Sequence, residues 1–199
     1  EKLDDESWLA KEPENHETYI LEFTTPAQNL RAIRLEALTH ESLKDGGPGL
    51  TEHGNFTLNE VTVETADGTP VKIVRAQADH SQKGGEDFKA IDGDPKTFWA
   101  INASKKDQHS DREIQLFLDP EAKLPAGTKL IVKLKQAYGS APYLIGRFRI
   151  SVTTAPDLYL QVPLLTRRKW EQAEKWDDKL TAQVEAEIKK LDSELNRLQ

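Results

Sequence analysis

Apolar and polar side chains alternate with a period of two in five short stretches of this chain, at 18–24, 31–38, 56–64, 129–135 and 147–153; 71–74 and 114–118 read as further strands and 158–160 as a short last one. That period marks a strand covered on one face, because successive side chains leave opposite sides of the pleated backbone. In 129–135, Leu130, Val132 and Leu134 share one face and lysines the other, while 31–38 sets Ile33, Leu35 and Ala37 against Arg34 and Glu36. Along 56–64 the inward set changes near Glu60, which suits a bulge. Thr25-Pro26, the glycine-rich run at 45–49 and Asp67-Gly68 read as turns or loops between strands. No helical period intervenes, so the expected fold class is all-β, an antiparallel jelly-roll β-sandwich.

From Thr166 the pattern changes. Trp170, Ala173, Trp176, Leu180, Val184, Ile188, Leu191, Leu195 and Leu198 recur at three- and four-residue steps with no further Gly or Pro, which predicts a long C-terminal amphipathic α-helix. The steps of four between Leu180 and Ile188 do not sustain the heptad of a two-stranded coiled coil. Packing on its own domain, on a following domain or on a second copy all remain open. The organisation is therefore an N-terminal extension at 1–17, a sandwich at 18–162 and the helix at 163–199.

The formal net charge of -7 argues against nucleic acid or an anionic membrane surface as the main partner and favours a divalent cation. Cysteine is absent, which excludes disulfides, thiolate nucleophiles, Cys-type zinc sites and covalent haem attachment within the chain. Methionine is absent too, so the chain is expected to be a mature form or a piece of something longer. No apolar run approaches the ~18–20 residues that span a bilayer.

The candidate chemistry concentrates at 90–101. Asp92 and Asp94 flank a glycine that allows a tight loop, Thr97 offers a hydroxyl and a carbonyl, and the Lys89 carbonyl can close a ring of oxygens. The set suits a calcium ion; the alternative is a plain Asp-Gly turn whose aspartates hold backbone amides. Trp99 is expected in the core as the anchor of this loop. Tyr138 and Tyr143 bracket a loop between two predicted strands and are candidates for stacking on sugar rings, or else shield the sandwich edge. Asn102 and His109 lie in or beside a polar loop at the sandwich rim and are candidate hydrogen-bonding ligands. No Gly-x-Ser-x-Gly elbow, phosphate-binding loop or dinucleotide fingerprint occurs.

Ala90-Ile91-Asp92-Gly93-Asp94 through Thr97 and Trp99 resembles the signature loop of discoidin-like, or coagulation-factor C-type, domains. These are galactose-binding-like β-sandwiches, a class that includes many carbohydrate-binding modules. The resemblance implies a structural calcium held by the Lys89 carbonyl, Asp92, Asp94 and Thr97. A wider set resembles the middle region of large planctomycete proteins that carry a cytochrome c-like domain. It comprises 34–38, Gly47-Pro48-Gly49, 54–58, Ala78-Asp79, Ser81-Gln82, 90–101, His109 and 146–153. That likeness implies an exported, extracytoplasmic parent protein, with this chain as an accessory module and the helix as a connector to neighbouring domains.

The leading expectation is a non-catalytic, calcium-stabilised module that binds a polysaccharide or other glycan. The others are a structural spacer or protein-docking module without sugar binding, and a polysaccharide-cleaving enzyme.

Overall fold

The computed structural model describes residues 1–11, 14–26, 28–103 and 108–155, together with Ala182, Ala186, Lys189 and Lys190. The chain divides into two compact units, Glu1–Thr154 and Ala155–Gln199. In the second, Ala182, Ala186, Lys189 and Lys190 are helical and exposed. The strand expected at 158–160 and the extent of the long helix lie outside the described residues. Among the described residues no helix is long and apolar enough to cross a membrane.

The first unit is all-β. Its strands are β1 (Trp8–Leu9), β2 (Glu17–Thr24), β3 (Ala32–Ala37), β4 (Thr57–Leu58), β5 (Glu60–Thr65), β6 (Ile73–Ala78), β7 (Trp99–Ala100), β8 (Arg112–Leu118), β9 (Lys129–Gln136) and β10 (Arg147–Thr153). Every pairing is antiparallel. The strands form a five-stranded sheet in the order β1-β10-β3-β8-β6, a three-stranded sheet in the order β2-β9-β5 and the two-stranded pair β4-β7. Ile33, Leu35, Ile114 and Leu116 of the larger sheet join Val61, Val63, Leu130, Val132 and Leu134 of the smaller in one buried cluster that also takes in Phe56 and Trp99. Burying one apolar row from each sheet is what holds a sandwich together.

The differences from the sequence reading have local causes. The stretch 56–64 is not one bulged strand. It breaks at Asn59, whose amide turns inward, so that β4 pairs with β7 and β5 with β9. The strand expected at 71–74 begins later, at Ile73, because Val71 and Lys72 step across between the sheets: the Val71 N–H donates to Val63 O (2.8 Å) and Lys72 O accepts from the Asp119 N–H (2.9 Å). A register shift between Ile73 and Arg75 then blurs the alternation in β6.

Residues 1–11 belong to this unit. Trp8 and Leu9 pair with Phe148 and Arg147. Arg147 reaches back to Asp5 Oδ2 (2.6 Å) and Ser7 Oγ (2.8 Å). The Asp5 carboxyl is held down to about 2, first by the Ser7 hydroxyl and amide and then by Arg147.

Candidate ligand site: the acidic loop and the aromatic row

The 3-10 turn Asp87–Ala90 leads into the acidic loop, where Gly93 takes a φ of +79°. The following backbone is tied by its own aspartates. Asp94 N–H donates to Asp92 Oδ1 (2.9 Å), Lys96 N–H to Asp94 Oδ1 (3.0 Å) and Thr97 N–H to Asp94 O (3.1 Å). These bonds gather the four residues singled out from the sequence around one atom, the Thr97 hydroxyl. Asp92 Oδ1 and Oδ2 lie 2.9 and 2.8 Å from it, Asp94 O 3.1 Å and Lys89 O 3.3 Å. A hydroxyl has one proton to give, so four acceptor oxygens crowd a single donor. Asp94 takes part through its carbonyl, its carboxylate being turned to Lys96. The Lys89 ammonium points elsewhere, to Gly84 O (2.8 Å) and Glu86 (2.8 Å).

Two residues that the sequence reading did not single out fix this loop from β5 and the residue before it. Glu60 accepts the Gly93 N–H at Oε2 (3.0 Å). Burial pushes its carboxyl above the usual range, and the Asp92 charge adds to this against the Gly93 amide and Lys135. Asn59 is 1% exposed and satisfies its whole amide. Its Nδ2 donates to Pro95 O and Thr97 O (both 3.1 Å), and its Oδ1 accepts from the Ala137 N–H (2.8 Å). Among the described residues no group of three or more His, Asp or Glu side chains converges as metal ligands. The oxygens of this loop come largely from backbone and hydroxyl.

Phe98 and Trp99 are consecutive and point to opposite sides. Trp99 is fully buried, edge-on to Phe56 at 5.1 Å, with its indole N–H donating to His80 O (3.0 Å). Phe98 faces outward and begins a row of rings. It meets Tyr138 at 4.7 Å, Tyr138 meets Tyr143 at 5.2 Å, and Tyr143 meets His53 at 5.8 Å. Each contact is edge-to-face, with interplanar angles of 61°, 86° and 68°. The row is thus a set of mutually braced rings and not a flat platform. Tyr138 is 42% exposed, so it offers a face to solvent while its neighbours hold it. The period-two rule, applied to Phe98 beside a core tryptophan, was the available signal for the first ring.

His109 is half-buried, with both ring nitrogens facing backbone carbonyls. Its Nδ1 lies 2.9 Å from Asp45 O, and its Nε2 lies 3.1 Å from His53 O and 3.0 Å from Ala103 O. The imidazole therefore pins three loops, one of which carries His53 of the aromatic row. Asn102, exposed and left-handed at φ +53°, immediately precedes Ala103. Gly47 and Gly54 make room for the ring, since a Cβ would come within 3.4 Å of Cγ at the first and 3.0 Å of Nε2 at the second.

With carbonyls at both ring nitrogens, only the imidazolium donates to both sides. Burial opposes that charge, but the carbonyls of Asp45, Ala103 and His53 and the Asp45 carboxylate outweigh it and hold the pKa above its ordinary value. A raised folded-state pKa stabilises fully below the unfolded value of about 6.5, and that stabilisation is lost as pH rises through the folded value. Melting temperature is therefore expected to fall over this alkaline-going window in the wild type, and the fall should be shallower in His109→Gln. Parallel profiles for the two proteins would contradict a charged staple.

No protein-family model and no curated protein matches this chain.

Proposed function

We propose that the chain is a non-catalytic carbohydrate-binding module: a galactose-binding-like jelly-roll sandwich, braced by calcium, within a larger exported protein. The single observation that carries this reading is the braced aromatic row Phe98–Tyr138–Tyr143–His53 lying beside the acidic loop. The exposed face of Tyr138 can stack on the apolar C–H face of a sugar ring. Tyr143 and the exposed amide of Asn102 supply polar groups for sugar hydroxyls, and His109 holds the loops between them. Calcium takes six to eight oxygens and accepts carbonyls and hydroxyls as readily as carboxylates. The Lys89 carbonyl, both Asp92 carboxylate oxygens, the Asp94 carbonyl and the Thr97 hydroxyl supply five of them, with Asp92 giving the charge and water completing the shell. Millimolar calcium outside the cytoplasm matches the affinity that loops of this kind reach. The segment beyond Thr166 serves in this reading as a helical connector to neighbouring domains.

One experiment tests both parts. In affinity electrophoresis through neutral and sulfated polysaccharides, the wild type is expected to be retained by at least one of them, and Tyr138→Ala to lose that retention without losing its fold. Calcium should raise the melting temperature by roughly 3–8 °C at millimolar concentration, reversibly with chelator, and Asp92→Ala should abolish the rise. Retention on no polysaccharide removes the glycan reading. A melting temperature indifferent to calcium and chelator leaves the acidic loop as a turn closed on itself.

A second reading, a spacer or protein-docking module of the parent protein, draws on the open edge of β2. It expects no polysaccharide retention.

A further inference from the structure

All eight residues of β2 pair with β9, and among the described residues no strand lies against its other edge. Protein edges of this length are ordinarily blunted by charged side chains, a proline, a bulge or a covering segment, and the two charges of this strand, Glu17 and Glu22, lie off its centre. Glu17–Thr24 contains no proline, and its register with β9 runs without a shift. Among the described residues the space beside the edge is open, a groove of about 970 Å³ whose far wall includes Trp8, Leu9, Ile150 and Val152. On the outer face of the strand, Ile20 is 61% exposed and lies in register with Lys133. A central isoleucine left bare on an unpaired edge needs a physical account.

Directly opposed residues of antiparallel strands put their side chains on the same face. If the new strand is a second copy of β2 related by a two-fold axis through the sheet, core face meets core face only when one residue opposes itself. Centring on Ile20 sets Ile20 against Ile20, Tyr19 against Leu21, Thr18 against Glu22 and Glu17 against Phe23. No like charges oppose one another, and apolar pairs occupy the middle. Centring on Leu21 sets the exposed isoleucine against Glu22, and centring on Tyr19 sets it against Thr18 and Leu21 against Glu17.

We propose that the free edge of β2 is a self-association surface, through which two copies of this chain pair antiparallel about Ile20. The two three-stranded sheets then continue as one six-stranded sheet, an isologous contact of the kind that closes dimers. This goes beyond the glycan reading and does not depend on it, although a dimer bearing two aromatic rows would hold a repeating polymer by avidity.

The chain has no cysteine, so Ile20→Cys introduces a single thiol. Under mild oxidation it is expected to form a disulfide-linked dimer roughly a hundredfold faster than Thr62→Cys, an exposed position on β5, because pairing raises the local thiol concentration. In sedimentation equilibrium the wild type should show a concentration-dependent dimer that Ile20→Lys removes. The melt of that variant should stay within about 2 °C of the monomeric wild type, as for a surface substitution. If Ile20→Lys fails to fold, the cysteine comparison decides alone. The proposal is overturned by a wild type that remains monomeric to ~0.5 mM, by equal crosslinking rates at the two positions, or by a dimer that survives Ile20→Lys.

Discussion

Trp99→Ala is expected to destabilise the protein by about 3–5 kcal/mol, with a fall in melting temperature of roughly 10 °C or more. The indole is 0% exposed and joins the cluster shared by both sheets, with Phe56 packed edge-on against it. Truncation removes the largest fully buried side chain among the described residues and leaves a void between two sheets whose strands are locked in register. Such a void collapses poorly, and its cost adds to the lost burial. The change also strips His80 O of the indole N–H that it accepts. Trp99→Phe separates the two contributions, since it keeps most of the packing and loses only the donor, at a cost of about 1–2 kcal/mol. Urea unfolding of the three proteins, with equal slopes, measures the difference. A loss below ~1 kcal/mol for Trp99→Ala would mean that the anchor does not bear on the core.

Gly49→Ala is expected to cost about 3 kcal/mol, although it adds a single methyl group. The reason is space and not dihedral freedom. A Cβ at Gly49 would overlap the carbonyl carbon and oxygen of Asn55 and stand 2.8 Å from Gly54 O. These are backbone atoms, and they are held from other sides. Asn55 O accepts the Thr51 hydroxyl (2.8 Å), and Gly49 N–H itself donates to Gly54 O (2.9 Å). Nothing can swing aside as the end of a long side chain would. Gly68→Ala is the control: nothing lies within 4 Å of its Cβ position, so only the φ of +84° is strained, at about 1 kcal/mol. Thermal melts of both variants check the contrast, and similar losses at the two sites would refute the steric account.

Much of the sandwich was legible because its longer strands bury one face only. The stretch 147–153 alternates without interruption and corresponds to β10, and 129–135, which departs from alternation only at Ile131, corresponds to β9. Two kinds of strand were not legible. β1 and β7 have two residues each, too few for a period to show. β4 and β5 read as one strand because a buried amide at Asn59 looks, in sequence, like one more polar position in an alternating run.

The candidate site divides in the same way. Lys89, Asp92, Asp94 and Thr97 are near neighbours in the chain, so their gathering could be anticipated from spacing. Asn59, Glu60 and His53 come to the site from elsewhere in the fold; Asn59 and His53 carried no local mark, and Glu60 was marked only as the point where the inward set of 56–64 changes. The structural surrounding of His109 depended on three loops meeting at one ring, for which Gly47 and Gly54 were the only trace in the sequence.

The double attachment of Asn59 has a mechanical result. Thr97 and Ala137, both held by that one amide, are followed in the chain by Phe98 and Tyr138, whose rings touch. Amide, backbone and rings thus close a small circuit that joins the oxygen-rich turn to the exposed aromatic face. Strain put into one side of a closed loop must be shared by the other. A cation that stiffens residues 92–97 would therefore alter the freedom of Tyr138, and by reciprocity a sugar seated on Tyr138 would alter the hold on the cation by the same factor.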